Sequence, residues 1–206
     1  MDYAEGVRQQ VHGLRLMPPV NRGDAVAAGL QPIKVSDEVK TQVLEFITGR
    51  LRVVLQDQDL RYDVVDAVLA AQSNNPAAAA RAAQQLQTWI KRDDWEKILP
   101  GYARCVRIIR SADVDASQLT MNEGALVEDA EKALYKAVKS SVTGPPASVD
   151  EFLSTVEKLI PAIDKFFEDV LVMAEDEAVR QNRLALVGQV ADLSKNLADL
   201  SKVEGF

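Results

Sequence analysis

The sequence contains one cysteine, Cys105, and one histidine, His12, in 206 residues. A lone thiol excludes an internal disulfide framework and fits a reducing, cytoplasmic setting. One imidazole and one thiol also argue against a zinc site, so no metal is expected. Aromatic residues make up 5% of the chain, which leaves little material for an aromatic-rich binding surface. No apolar run approaches the ~18 residues of a membrane span, so no membrane partner is expected. The first residues lack a basic stretch followed by an apolar one, and they read as carrying no secretory leader. No Walker-type phosphate loop, no GxGxxG after a strand and no HExxH pair is present. His12 lies in a weakly patterned segment, far from any Ser/His/Asp set. These absences leave no catalytic residue and no cofactor site to expect in this chain. An independent helical hydrolase ranks last among the readings, because carboxylate pairs at i,i+3 or i,i+4 on facing helices are not evident.

Hydrophobic residues form 47% of the chain, enough for a real core, and Ala, Leu and Val dominate them. The formal net charge is −7, which at first argues against nucleic acid and gives no reason to expect DNA. The charge is uneven, however: residues 81–110 carry seven basic and three acidic side chains, and residues 111–206 carry nine basic and eighteen acidic. An acidic chain with one basic segment is the pattern to explain.

Apolar spacing predicts an all-α protein of seven to nine helices, with no alternating strand and no internal repeat. Ser36 caps a helix on which Val43, Ile47, Leu51, Val54 and Leu55 form an apolar face. A second helix spans about 60–72. Pro76 opens an Ala-rich third. A stretch from about 93 to 112 is kinked or divided at Pro100-Gly101. Helices follow at about 123–140, from Ser148 through a bend or restart at Pro161, and at about 175–192. "SSVTGPPAS" is the clearest linker, near 141–148. Residues 1–35 hold a short helix at about 2–13 and then a loop, and the patterned domain runs over 36–206.

Three sets of charged residues stand out. Arg50 falls inside the apolar arc of the first predicted helix, with Arg52 on its polar side. A guanidinium on a core face needs a carboxylate or several carbonyls, and Asp63 and Asp66 on the next helix are the expected partners. In "MAEDEAVRQNRLAL", Arg183 shares a face with Val179, Leu186 and Val190, with Asp176 close by and Asp176/Arg180 spaced as an i,i+4 pair. Glu175, Asp176 and Glu177 are consecutive, point about 100° apart on a helix, and do not converge on one ion. Arg50, Asp63, Asp66, Asp176, Arg180 and Arg183 therefore read first as a structural polar network, with an RNA or partner contact as the alternative. In "GYARCVRIIR", Arg104, Arg107 and Arg110 form a stripe opposite the apolar face of Tyr102, Cys105, Val106 and Ile109, and no acid lies within the stripe. With Lys91 and Arg92 just upstream, it is either a solvated helix face or a phosphate-binding surface. Trp95 and Tyr102 are candidates for base stacking, though core positions suit both better.

Four stretches, in order, resemble the C-terminal region of the bacterial glycyl-tRNA synthetase beta subunit. They are "FITGRLRVVLQDQDLRYDVVDAVLA" at 46–70, "ARCVRIIRSA" at 103–112, "LVEDAEKALYKAV" at 126–138 and "FFEDVLVMAEDEAVRQNRLALV" at 166–187, and the terminal "LADLSKVEGF" is similar too. The resemblance covers about 40–206. It implies a helical domain like the anticodon-binding domain of arginyl-tRNA synthetase, with residues 1–35 ending a preceding domain. It further implies glycine tRNA as partner, alongside the remaining beta-subunit domains and the alpha subunit, which carries the aminoacylation site. ATP and Mg would belong to the whole enzyme and not to this chain. On that reading Lys91, Arg92, Arg104, Arg107 and Arg110 contact tRNA phosphates, and the other charged set holds the helices beneath them. The competing expectation is a protein-interaction or subunit-assembly domain without RNA contact. The stripe discriminates: arginines paired with the acids of 111–206 favour assembly, and an open basic surface favours RNA.

Overall fold

The computed structural model describes residues 35–112, 114 and 119–206. Seven α-helices succeed one another: α1 (Asp37–Gln56), α2 (Tyr62–Gln72), α3 (Pro76–Ile90), α4 (Trp95–Ser111), α5 (Asp129–Ser141), α6 (Val149–Asp169) and α7 (Glu177–Ala191). Short 3-10 turns occupy Glu123–Ala125, Asp192–Ser194 and Leu200–Lys202. No strand occurs among the described residues. The short helix and loop expected within 1–34 lie outside them. The chain divides into two compact units, Met1–Thr41 and Gln42–Phe206, with the division inside α1. Among the described residues, every buried hydrophobic side chain belongs to the second unit.

Local chemistry sets the helix starts. Asn75 accepts a hydrogen bond from the Ala78 amide at 3.1 Å, ahead of Pro76 at the first helical position. The Ser148 hydroxyl accepts from the Glu151 amide at 3.2 Å, and the Glu151 carboxylate returns the contact by accepting from the Ala147 amide at 2.8 Å. These contacts satisfy amide donors that a helix start leaves without intrahelical partners.

The middle of the unit is built on α6 and α7. Helix α6 packs against α3, α4 and α5, and α7 packs against α4 and α5. Residues Asn182 to Gly188 are buried without interruption, so α7 runs through the interior instead of lying on it. Tyr102 of α4 meets Phe152 of α6 edge to face at 5.2 Å and donates its hydroxyl to the Ala191 carbonyl at 2.8 Å. The C-terminal segment closes over α2: the Asp199 amide donates to the Ala67 carbonyl at 2.8 Å, and the Gln72 amide donates to the Leu197 carbonyl at 2.7 Å.

Two expectations are corrected. Helix α1 does not turn its apolar arc to the core. Phe46 is 70% exposed, Val43, Ile47 and Val54 are also exposed, and only Leu55 in the last turn is buried. No described helix packs along α1, so among the described residues periodicity marked an apolar face that no helix covers. The second correction concerns only the divided alternative at Pro100 and the restart at Pro161: both helices run on through these residues. A proline forfeits one helical hydrogen bond. Around Pro100, burial of Leu99 just before it and of Tyr102 and Ala103 just after it offsets that loss.

Gly101 marks a close approach between α4 and α6. A Cβ there would lie 2.6 Å from Ile160 Cδ1. Alanine in a helix is worth about 1 kcal/mol over glycine, so contact and propensity oppose each other. Gly101→Ala is expected to be near neutral or destabilising alone, yet stabilising in an Ile160→Val background that removes the opposing methyl. A double-mutant cycle from urea midpoints measures this, and additive effects would refute the steric account.

Candidate nucleic-acid interface

The solvent side of α4 carries Arg104, Arg107 and Arg110 as the spacing predicted, but the stripe is not uncompensated. Arg104 forms an ion pair with Asp164 of α6, and its guanidinium lies 5.3 Å from the Phe167 ring centre. Arg110 reaches Asp199 in the C-terminal segment at 3.2 Å. Arg107 has no carboxylate partner among the described residues and stands over the Phe206 ring at 5.3 Å. Upstream, Arg92 lies 4.1 Å above Trp89 and pairs with Asp94 at 2.5 Å and Glu157 at 2.6 Å. Lys91 is exposed with no ion pair among the described residues. Three of the five cations thus meet acids, and Asp164, Asp199 and Glu157 lie 60, 89 and 65 residues away in sequence. Trp95 and Tyr102 are 7% and 1% exposed and belong to the core, not to a stacking surface. Cys105 beneath the stripe is fully buried, which pushes its thiol up to about 12 and leaves it protonated.

The second charged set forms a polar network with different pairings from those expected. Arg183, on buried α7, bonds through Nε to Glu131 of α5 and donates to the Leu171 carbonyl at 2.9 Å. The other Glu131 oxygen accepts from the amides of Val127 at 2.6 Å and Glu128 at 3.0 Å. Asp176 does not pair with Arg183 or Arg180; it caps α7 by accepting from the Val179 amide at 3.0 Å. Arg180 instead donates to the Ala174 carbonyl at 2.9 Å and to Glu177 at 3.0 Å. Arg50 is exposed without an ion pair among the described residues, and its neighbour Arg52 pairs with Asp66. The buried Asp63 is held by Arg61, at 3.0 and 2.6 Å, and by the Glu204 amide at 2.9 Å. Glu131, Arg61 and Glu204 are the members that the sequence reading missed.

Two recesses flank these features. One, of about 380 Å³, opens between α4 and the C-terminal segment. The other, of about 490 Å³, is lined by Leu126, Tyr135, Lys132, Lys136 and Lys139. The i,i+4,i+7 spacing of the three lysines in "EKALYKAVK" is a signal that the search for arginines passed over. Tyr135 and Lys139 there are tied to Glu123, at 2.8 and 3.3 Å. Among the described residues no three His, Cys, Asp or Glu side chains converge on a metal position, and no helix is long and apolar enough to cross a membrane.

Burial alone raises the Glu131 carboxyl, but the Arg183 hydrogen bond and the two backbone amides outweigh it and hold its pKa below the ordinary value. A depressed carboxylate contributes stability that is present above its unfolded pKa of ~4.3 and is lost as pH falls through the folded value. Glu131→Gln is therefore expected to destabilise the protein by about 3–5 kcal/mol at neutral pH, the scale of breaking a buried pair. Its deficit against the native chain should shrink below pH 4. Urea unfolding followed by circular dichroism at both pH values checks this, and a pH-independent deficit would contradict the charge argument.

Residues 98–204 match the DALR anticodon binding domain. The chain is 36% identical over 185 residues to glycine–tRNA ligase, chloroplastic/mitochondrial 2, of Arabidopsis thaliana, an alignment covering 88% of this chain and 17% of that protein. It is 35% identical over 176 residues to the glycine–tRNA ligase beta subunit of Clostridioides difficile, covering 81% and 24%. The beta subunit of Myxococcus xanthus is 36% identical over 171 residues, covering 80% and 24%. The chain spans a quarter or less of the length of these curated relatives. The family match takes in most of α4 and all of α5, α6 and α7, more than half of the chain, and this protein belongs to the DALR anticodon-binding domain family.

Proposed function

We propose that this chain is the anticodon-recognising part of a glycine–tRNA ligase beta subunit and supports ATP-dependent attachment of glycine to its tRNA. The observation that carries the reading is the anticodon-binding family match over 98–204, joined to relatives named as glycine–tRNA ligases. The chemistry would take place elsewhere in the enzyme, where ATP and Mg bind. The remaining beta-subunit domains and the alpha subunit would complete the assembly, in a cytoplasmic setting. The contribution of this chain is recognition: anticodon bases are unstacked in a loop, where side chains reach their faces and edges.

On this reading the outer side of α4 faces RNA. Arg107 and Lys91 have no ion pair among the described residues and offer their charge to it. Arg104 and Arg110 are 41% and 55% exposed, and each spends only part of its guanidinium on a carboxylate. A guanidinium carries five donors, and an exposed ion pair is worth ~0–1 kcal/mol. A phosphate therefore meets arginines already extended and competes with only a weak partner. Arg92 sits above Trp89 in the same manner. The acids of α6 and the C-terminal segment lower the overall attraction, which favours a specific fit over general adhesion to polyanions.

A second reading, subunit assembly without RNA contact, is favoured by one specific observation. Val43, Leu44, Phe46, Ile47, Val53 and Val54 leave α1 with an exposed apolar face, and the pairing of Arg104 and Arg110 with distant acids agrees with it. Fluorescence anisotropy with a labelled glycine anticodon stem-loop separates the two. Anticodon recognition predicts salt-sensitive binding that weakens when the anticodon is changed. Arg107→Ala should lower the slope of log affinity against log salt by about 0.7–0.9, the loss of one phosphate contact. No binding at tens of micromolar would turn the reading to assembly.

A further inference from the structure

We propose that the recess between α4 and the C-terminal segment is a slot for one unstacked nucleobase of single-stranded RNA, an inference that rests on the RNA-binding reading above. Its volume of about 380 Å³ lies at the small end of ligand sites, which suits one base with its ribose and not an extended ligand. The inner wall is apolar: Val106 and Ile109 from α4, Leu200 from the segment, and the ring of Phe206. A flat heterocycle needs such a wall to stack on, and every base has a face to offer.

The rim is polar and partly uncommitted. Asn196 stands at φ 62°, in the left-handed region that asparagine tolerates better than most residues, and lines the recess. Its side-chain amide has no hydrogen-bond partner among the described residues, so both its donor and its acceptor are available to a base edge. Asp192, also on the rim, is exposed with a free carboxylate among the described hydrogen bonds. It selects for bases with an exocyclic amino group, as carboxylates do for such donors elsewhere. Asp199 is unavailable for that role, because Arg110 at 3.2 Å and Ser201, through its amide at 3.1 Å and hydroxyl at 2.6 Å, hold it.

Charge sits where the flanking phosphates of an inserted base would run. Arg110 and Lys195 line the recess, and Arg107 stands against the outer side of the Phe206 ring without a carboxylate partner among the described residues. An apolar wall, an unpartnered amide and three cations at one mouth are what an extruded nucleotide needs together. The lysine-lined recess beside α5 lacks this combination, since Glu123 ties up both Tyr135 and Lys139.

The test is anisotropy of the full chain with the glycine anticodon stem-loop, comparing the native protein with Phe206→Ala and Asn196→Gly. Circular dichroism of each variant controls for folding: Phe206 packs at the edge of the core, and glycine accepts the left-handed backbone at 196. A stem-loop with an abasic site at each loop position in turn supplies the ligand arm. The expected result is a loss of about tenfold for Phe206→Ala, the scale of one stacked base, with an unchanged salt slope. One abasic position should lose affinity on the native protein and little further on the variant. Native-like binding by both variants overturns the slot and leaves RNA recognition standing. No binding of any stem-loop to the native chain overturns both, so the two failures are distinguishable.

Discussion

Arg183 lies in the continuously buried stretch Asn182–Gly188 of α7, and the residue is 9% exposed. A cation in that position is tolerable only with full compensation, because an isolated buried charge costs several kcal/mol even after relaxation. Glu131 meets its Nε and the Leu171 carbonyl meets its Nη1, while the second Glu131 oxygen gathers the amides that open α5. One charge pair therefore fixes three things: the start of α5, the connection between α6 and α7, and the rotation of α7 about its own axis. Since α7 packs on α4, that rotation also sets where the surface of α4 comes to lie. Such pairs often give a hydrophobic replacement little to lose in stability. Their use here is register: sliding α7 by one residue would strand a guanidinium among leucines and valines.

The same requirement separates what was legible in the sequence from what was not. Helix starts are local events, so the starts at Pro76 and Ser148 are readable from a few residues of chain, and so is the all-α class. The outward position of Arg104, Arg107 and Arg110 follows from a 100° step. Partners do not follow. Glu131 is 52 residues from Arg183, and Glu204 is 143 from Arg61. Periodicity states which side of a helix is apolar and is silent about which element arrives there. The Arg50 expectation failed for that reason: its apolar arc was read as a core face, but α1 is uncovered along most of its length, and Arg52 on the other side meets Asp66.

The recess beside α4 was beyond sequence reading for a further reason. It is formed by a helix and a tail about ninety residues later, and the tail is held by the Asp199 amide donating to the Ala67 carbonyl, by the Gln72 side chain donating to the Leu197 carbonyl and by the Arg61–Asp63–Glu204 cluster. Asp63 is the pivot of that cluster. Burial works against its charge, but Arg61 and the amides of Glu204 and Val64 hold its carboxyl below the usual range. Short polar side chains in a C-terminal segment look like a frayed end in sequence. Here they terminate in a buried carboxylate that pins them.

The pairing of the arginine stripe bears directly on how an acidic protein could select one polyanion among many. An unpaired cluster of arginines attracts any phosphate chain, and its long side chains must be ordered at the moment of contact. In this fold Asp164 and Asp199 hold Arg104 and Arg110 extended beforehand, and aromatic rings lie against Arg92, Arg104 and Arg107. Part of the ordering entropy is then met during folding instead of binding. The carboxylates also cancel much of the long-range field, so under the proposed function an RNA would gain from these arginines only at contact distance, where its phosphates would take up donors the acids leave free. A paired stripe thus trades general affinity for geometry, and geometry is what distinguishes one RNA loop from another.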